Sequence, residues 1–265
     1  MARTLDDDTV IDLADRLESA ELTRQPIDPI STAHPSMTPA DAYAVQRVIT
    51  RRCVDAGSLV LGWKLGLTST AMQAQLGVDQ PDFGPILSDR VVPDGGEVRA
   101  TELIRPRIEA EIAFVLGADL SGPGVTAADV RAATEAVAPA LEVIDSRIRD
   151  WRIGLADTIA DLASTARVIV GTTRTPLDAG LEPRDLRAIL ERDSDVVGEG
   201  LGAAALGDPL EAVAWAANTL GALGITLEAG QVIMTGALHA SVPIQSGETY
   251  RAAIDRLGAA SVRIS

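Results

Sequence analysis

Arg105-Pro-Arg-Ile-Glu-Ala-Glu-Ile-Ala-Phe-Val-Leu116 sets charge inside an apolar run. Ile108, Ile112, Ala113, Phe114, Val115 and Leu116 are nearly continuous, which predicts a buried β-strand. Glu109 and Glu111 stand within it. Side chains alternate along a strand, so these two carboxylates project to one face, with Ile108, Ala110 and Ile112 on the other. Two anions at that spacing repel and resist burial. A cation, a bound proton or exposure to water must offset them. A hard divalent metal would do so and leave coordination positions open for a ligand. An edge strand with one wet face is the plainer alternative.

The 265 residues suffice for one large domain, or a domain with a helical appendage. With 46% hydrophobic residues the chain is globular, but aromatics are only 3%, so Val, Ile, Leu and Ala must build the core. No window approaches the roughly 18 apolar residues of a membrane span, and the N-terminus lacks the apolar core of a signal peptide. Cys53 is the single cysteine, which excludes an intrachain disulfide or a cysteine zinc site and fits a reducing cytoplasm. The formal charge is −15, from 38 acids and 23 bases, a balance that repels phosphate backbones and argues against nucleic acid. Lys64 is the only lysine among those bases. Where arginine serves elsewhere for charge, a retained lysine is either a chance survivor or needed as a compact, tunable ammonium.

Asp6 to Asp8, followed by Val10, Leu13, Ala14 and Leu17, predict a first helix over residues 1–20. Thr38-Pro-Ala-Asp41 predicts the start of a second, which Gly57 stops. These helices form an N-terminal segment, 1–57, ahead of a strand-rich body, 58–265. In the body, residues 59–66 read as a strand carrying Lys64. A short helix is expected from Thr68-Ser69 to Gly77, then a proline-braced loop bearing Asp82. Thr126 to Asp129 cap a helix through about Val137. Residues 139–145 form a buried strand holding Glu142, and 168–171 a short one. Residues 158–166 are a loop or short helix. The last third reads as hairpins around one helix, which starts at Asp208-Pro-Leu-Glu211. Gly198-Glu-Gly-Leu-Gly202 reads as a turn. Many short strands with few regular helix–strand alternations argue against a doubly wound fold and predict an α+β class.

There is no P-loop, no G-x-G-x-x-G and no G-x-S-x-G elbow, and His34 and His239 lack zinc-motif spacing. Nicotinamide chemistry and serine-triad hydrolysis are therefore unsupported. What stands out is three embedded acids, Glu109, Glu111 and Glu142, with Lys64 and Asp82. Three carboxylates on buried strands suit an octahedral cation such as Mg²⁺ or Mn²⁺. A 2-oxo or 2-enol acid would chelate it, and developing enolate charge would be stabilised. Lys64 could hold the substrate carboxylate, and Asp82 could act as general acid or base. A loop-capping Asp82 and a water-facing Glu142 are the structural alternatives.

At Gly62-Trp-Lys-Leu-Gly66, Gln80-Pro-Asp-Phe-Gly84, Arg107 to Phe114, Leu141-Glu-Val-Ile-Asp-Ser-Arg147, Asp150-Trp151, Gly207-Asp-Pro-Leu210 and Asn218-Thr-Leu220, the chain resembles a known group. This is the 2-hydroxypenta-2,4-dienoate hydratase and 4-oxalocrotonate decarboxylase group of the fumarylacetoacetate hydrolase superfamily. The order and spacing hold over essentially the whole chain. The resemblance implies a mixed β-rich roll preceded by helices, a divalent metal and a homo-oligomer. It places metal ligands at Glu109, Glu111 and Glu142, and active-site roles at Lys64, Asp82 and, more loosely, Ser164. At Asp161-Leu-Ala-Ser-Thr165 the chain departs from the Asp-Asn-Ala-Ser pattern of relatives. The implied activity is hydration of 2-hydroxypenta-2,4-dienoate to 4-hydroxy-2-oxopentanoate in aromatic or steroid ring breakdown. The alternatives are decarboxylation of 4-oxalocrotonate, hydrolysis of an acylpyruvate, or a non-catalytic subunit associated with a pathway enzyme.

Overall fold

The computed structural model describes residues 3–69, 73–74, 78, 80–178 and 180–265. Helix α1 (Asp7–Thr23) starts at Asp6, whose side chain accepts from the Thr9 N–H, and buries Val10, Leu13, Ala14 and Leu17. A single turn, α2 (Ile30–Ala33), leads to α3 (Pro39–Asp55). There Thr38 and Asp41 cap each other reciprocally and a proline fills the first turn. The apolar stripes of α1 and α3 share a core with Ile148, Ile159, Ala160 and Leu162. No helix among the described residues is long and apolar enough to cross a membrane.

The body follows as β1 (Val60–Gly66), β2 (Asp82–Leu87), β3 (Gly96–Val98), β4 (Arg107–Leu116), α4 (Ala127–Ala133) and β5 (Thr134–Ile144). Next come α5 (Leu155–Ala160), β6 (Thr165–Val170), β7 (Arg187–Arg192), β8 (Asp195–Leu201) and α6 (Pro209–Gly221). Strands β9 (Val232–Met234), β10 (Val242–Pro243), β11 (Thr249–Ile254) and β12 (Gly258–Ile264) end the chain. One sheet has seven strands in the order β2-β1-β9-β4-β5-β6, with β10 also on β4; the other has five, β3-β12-β11-β7-β8. Parallel pairs (β1 with β9, β12 with β3) mix with antiparallel ones. The class is α+β: a mixed β-rich roll with helices ahead of it. Ile108, Ala110 and Ile112 are fully buried in the main core, the face of β4 opposite the two glutamates.

Four expectations change, the first being the proline-braced loop: from Asp82 onward it is strand β2, paired to β1, so Asp82 is a strand residue and not a loop cap. Strand β4 is no wet edge: β5 pairs one side and β9 and β10 the other. The helix expected to reach Val137 stops at Ala133, because Thr134 to Val137 join the ladder to β4, and pairing overrides local propensity. Gly198 to Leu201 are strand β8, not a turn. The glycines there allow close approach instead: a Cβ at Gly200 would stand 1.7 Å from the Leu238 carbonyl oxygen. The helix expected from Thr68-Ser69 to Gly77 falls largely outside the described residues.

Candidate metal and catalytic centre

The β4–β5 register sets Glu109 opposite Glu142 and Glu111 opposite Ala140. All three carboxylates therefore share one face, and one oxygen from each lies within 4.8 Å of the others. Glu111 and Glu142 are fully buried, while Glu109 is half-buried at a cavity wall. Glu111 Oε2 accepts the Gly236 N–H at 2.7 Å, and Glu142 Oε1 accepts the Thr165 hydroxyl at 3.0 Å. Their second oxygens, Glu111 Oε1 and Glu142 Oε2, have no hydrogen-bond partner. Burial, reinforced by the Glu142 charge, pushes Glu109 up to about 8 and Glu111 well above the usual carboxylate range. Three converging carboxylates, each with bonding capacity to spare, fit a small hard cation.

Lys64 on β1 faces Gly84 on β2, and Gly66 faces Asp82, so Lys64 and Asp82 project from the same side of the ribbon. Lys64 Nζ donates to the Ala163 carbonyl at 2.8 Å and lies 3.3 Å from Glu142 Oε2. Burial alone would lower its pKa, but Glu142, Asp82, Glu111 and Glu109 reverse that and hold the ammonium charged. Asp82 is raised by burial, against the pull of Lys64. Its Oδ2 accepts the Thr158 hydroxyl at 3.1 Å, and Oδ1 has no partner. Glycine is required beside it, since a Cβ at Gly66 would stand 2.1 Å from that Oδ1.

Ser164 arrives on an unusual turn. Leu162, Ala163 and Ser164 have φ of 54°, 50° and 58°, three successive left-handed residues without a glycine. The turn is clamped from behind. Asp161 accepts from Arg147 Nε at 2.5 Å and from the Arg147 N–H and Ser146 hydroxyl at 3.0 Å each. Arg147 Nη1 donates on to the carbonyls of Asp145 and Thr165 at 2.8 and 3.2 Å. The result presents Ala163 O to Lys64 and leaves the buried Ser164 Oγ without a partner.

A cavity of about 400 Å³ is lined by Lys64, Asp82, Glu109 and Ser164, with Arg105 and Arg107 on its wall. The structure thus gathers every residue singled out in the sequence: four line the cavity, and Glu111 and Glu142 adjoin Glu109. Arg107 Nε and Nη2 donate to the side chain and carbonyl of Ser241 at 2.6 and 2.5 Å, and Arg105 pairs with Asp150 at 3.0 Å. Arg147 is not on the wall, since Asp161 holds it. Sequence reading missed Thr158, Thr165, the Arg147–Asp161 pair and the Gly236 N–H. None belongs to a local pattern. Each matters through a partner distant in the chain.

An acid-centred cavity on a mixed sheet, with a buried lysine beside it, is an arrangement that can hold a cation and a small anionic ligand. Residues 62–265 match the fumarylacetoacetate (FAA) hydrolase C-terminal family, and the chain belongs to that family. It is 42% identical over 252 residues to 2-hydroxyhexa-2,4-dienoate hydratase of Comamonas testosteroni, spanning 94% of this chain and 95% of that one. It is also 42% identical over 263 residues to 4-oxalocrotonate decarboxylase of Pseudomonas putida, spanning 99% of each. The structure of 4-oxalocrotonate decarboxylase from Pseudomonas putida G7, complexed with magnesium and adipate, matches with a TM-score of 0.95 at 42% identity, covering 100% of both chains.

Proposed function

We propose that the protein is a hydratase dependent on Mg²⁺ or Mn²⁺ that converts 2-hydroxypenta-2,4-dienoate, or a close homologue, to 4-hydroxy-2-oxopentanoate. The carrying observation is a set of buried atoms that make no hydrogen bond: Glu111 Oε1, Asp82 Oδ1, Ser164 Oγ and Glu142 Oε2, the last paired only with the Lys64 charge, all belong to one centre. Native proteins leave few such atoms, and four together mark a place where a ligand completes the bonding. Glu109, Glu111 and Glu142 would hold the cation. When bound, it supplies Lewis-acid stabilisation of the charge that develops on a 2-oxo acid.

The side chains divide the remaining work. The fixed Lys64 ammonium offers positive potential to the substrate carboxylate. Asp82 Oδ1 takes the proton of the 2-hydroxyl and delivers one to C5, giving the conjugated enone. Water then adds across C3 and C4, its oxygen to C4 and a proton to C3. Thr158 orients Asp82 throughout, and Ser164 Oγ donates to a substrate oxygen. A homo-oligomer belongs to the same proposal, and sedimentation would check it. The decisive assay follows the dienoate's ultraviolet absorbance with Mg²⁺, with and without chelator. A metal-loaded sample that leaves the dienoate untouched defeats the proposal.

Arg107 favours a second reading. It sits two residues from Glu109 on the same face of β4, and Ser241 engages only its Nε and Nη2. Its Nη1 has no hydrogen bond among the described residues, leaving a cationic edge for a distal carboxylate. That edge suits decarboxylation of 4-oxalocrotonate, a dicarboxylate. Release of CO₂ from that substrate, weakened selectively by Arg107→Met, would support this reading over hydration.

A further inference from the structure

Strand β4 is paired to β5 in unbroken register from Arg107 to Val115, but its other edge has a gap. There β10 covers Arg107 and Ile108, and β9 covers Ala113 to Val115. Residues 109–112, which carry the two glutamates, face a loop instead, residues 235–241. Thr235 donates to the Ile112 carbonyl through its N–H at 3.2 Å and its hydroxyl at 3.1 Å, and the Leu238 N–H donates to the Ala110 carbonyl at 3.1 Å. The loop offers Ala110 N–H no backbone acceptor. That group donates to His239 Nε2 at 3.2 Å.

A ring nitrogen accepts only when it carries no proton. The proton therefore sits on Nδ1, which lies 2.8 Å from the Ala240 carbonyl and donates to it. The ring lies against Gly198 of β8, where a Cβ would stand 2.8 Å from Nδ1 and 2.9 Å from Cε1. Two neighbours thus seat the imidazole: a carbonyl that sets its tautomer and a glycine that makes room for it. We propose that His239 is a positioning residue for the cation centre, standing in for a missing strand and fixing the peptide between Glu109 and Glu111. Its loss lets that peptide shift, and the two carboxylates shift with it.

The inference rests on Glu109, Glu111 and Glu142 being cation ligands, and titration of the full-length protein with Mg²⁺ alone tests both levels. His239→Ala weakens Mg²⁺ binding by about 10–100-fold, the usual cost of losing a partner that orients a ligand. His239→Gln, whose side-chain oxygen reaches towards the position of Nε2, restores most of the affinity. Gly198→Ala leaves the imidazole in the chain but displaces it, and weakens binding in the same direction. It keeps the test open should His239→Ala fail to fold. Hydrogen exchange at the Ala110 amide accelerates in both weakened variants and not in His239→Gln. Wild-type affinity in folded His239→Ala or in Gly198→Ala, while Glu109→Gln loses binding, overturns the role of His239 and spares the ligand set. Wild-type affinity in Glu109→Gln overturns the ligand set itself.

Discussion

Two clusters of buried charge lie side by side in this protein, and they are finished differently. In the Arg147–Asp161 pair, every side-chain nitrogen and oxygen has a partner, drawn from Ser146 and from the backbone of residues 145, 147, 161 and 165. In the cluster of Glu109, Glu111, Glu142, Lys64 and Asp82, a single ammonium faces four acids; oxygens of Glu111 and Asp82 are unpartnered, and Glu142 Oε2 has only the Lys64 charge. Apart from half-buried Glu109, both clusters are deeply buried, so burial does not separate them. Satisfaction does. A closed network of opposite charges holds a turn in place, whereas an open one with excess negative charge stores an affinity for cations. The closed cluster serves the open one, because Arg147 also anchors the carbonyl of Thr165, whose hydroxyl orients Glu142.

Acid-to-amide substitutions put this contrast to its hardest test, because the same chemical change should act in opposite ways. Glu111→Gln removes one of several crowded anions. Mg²⁺ affinity and turnover should fall by more than the roughly 10–100-fold typical of an outer partner. The metal-free variant should meanwhile melt no lower than the parent, since a neutral amide is buried there without needing a bound proton or a counter-charge. Full metal-dependent turnover in Glu111→Gln would break the assignment. Asp161→Asn should instead strand the Arg147 guanidinium without its counter-charge. About 3–5 kcal/mol of stability should be lost, read as a lower urea midpoint whether or not Mg²⁺ is present. Next in size, Gly84→Ala should lower turnover without touching any charge. A Cβ there would stand 2.6 Å from the Leu162 carbonyl oxygen, displacing the turn that presents Ala163 to Lys64. Unchanged kinetics would show that the turn yields freely.

The open cluster was more legible in the sequence than the closed one, for a physical reason. Glu109 and Glu111 betray themselves because charge at a two-residue spacing in an apolar strand violates a local rule. Glu142 repeats the violation, and Lys64 stands out as the one lysine. The helices capped at Asp6 and Thr38 were equally local, and they fall where the caps predict. Arg147 and Asp161 violate nothing locally; they matter only because the chain folds them together. The left-handed turn at Leu162 to Ser164 is likewise invisible, since none of its residues favours positive φ and tertiary contacts impose it. Gly198 and Gly200 misled by looking like a turn, when their role is to let the 238–239 backbone and ring approach β8.

The smallest effect concerns protons, which are the cation's competitors in the open cluster. Glu109 is raised to about 8 by burial and by Glu142, from 4.5 for the free side chain, and Glu111 and Asp82 are raised as well. Between those two values the metal-free folded state binds more protons than the unfolded chain. The slope of stability with pH follows the protons bound unfolded minus those bound folded, so it is negative there. Through Glu109 the metal-free protein should therefore lose stability as pH rises from about 4.5 to about 8, and the raised Glu111 and Asp82 carboxyls add to the loss in the same direction. Mg²⁺ must displace the same protons, so its affinity should climb over the same interval, and the melting-temperature gain it gives should be greatest at the alkaline end. Thermal melts with Mg²⁺ and with chelator, taken across that range, read both slopes at once. In Glu109→Gln the metal-free slope should flatten. A metal-free melting temperature that rises through the window would mean the carboxylates are already ionised and matched by charge within the fold, and the distinction between the two clusters would disappear.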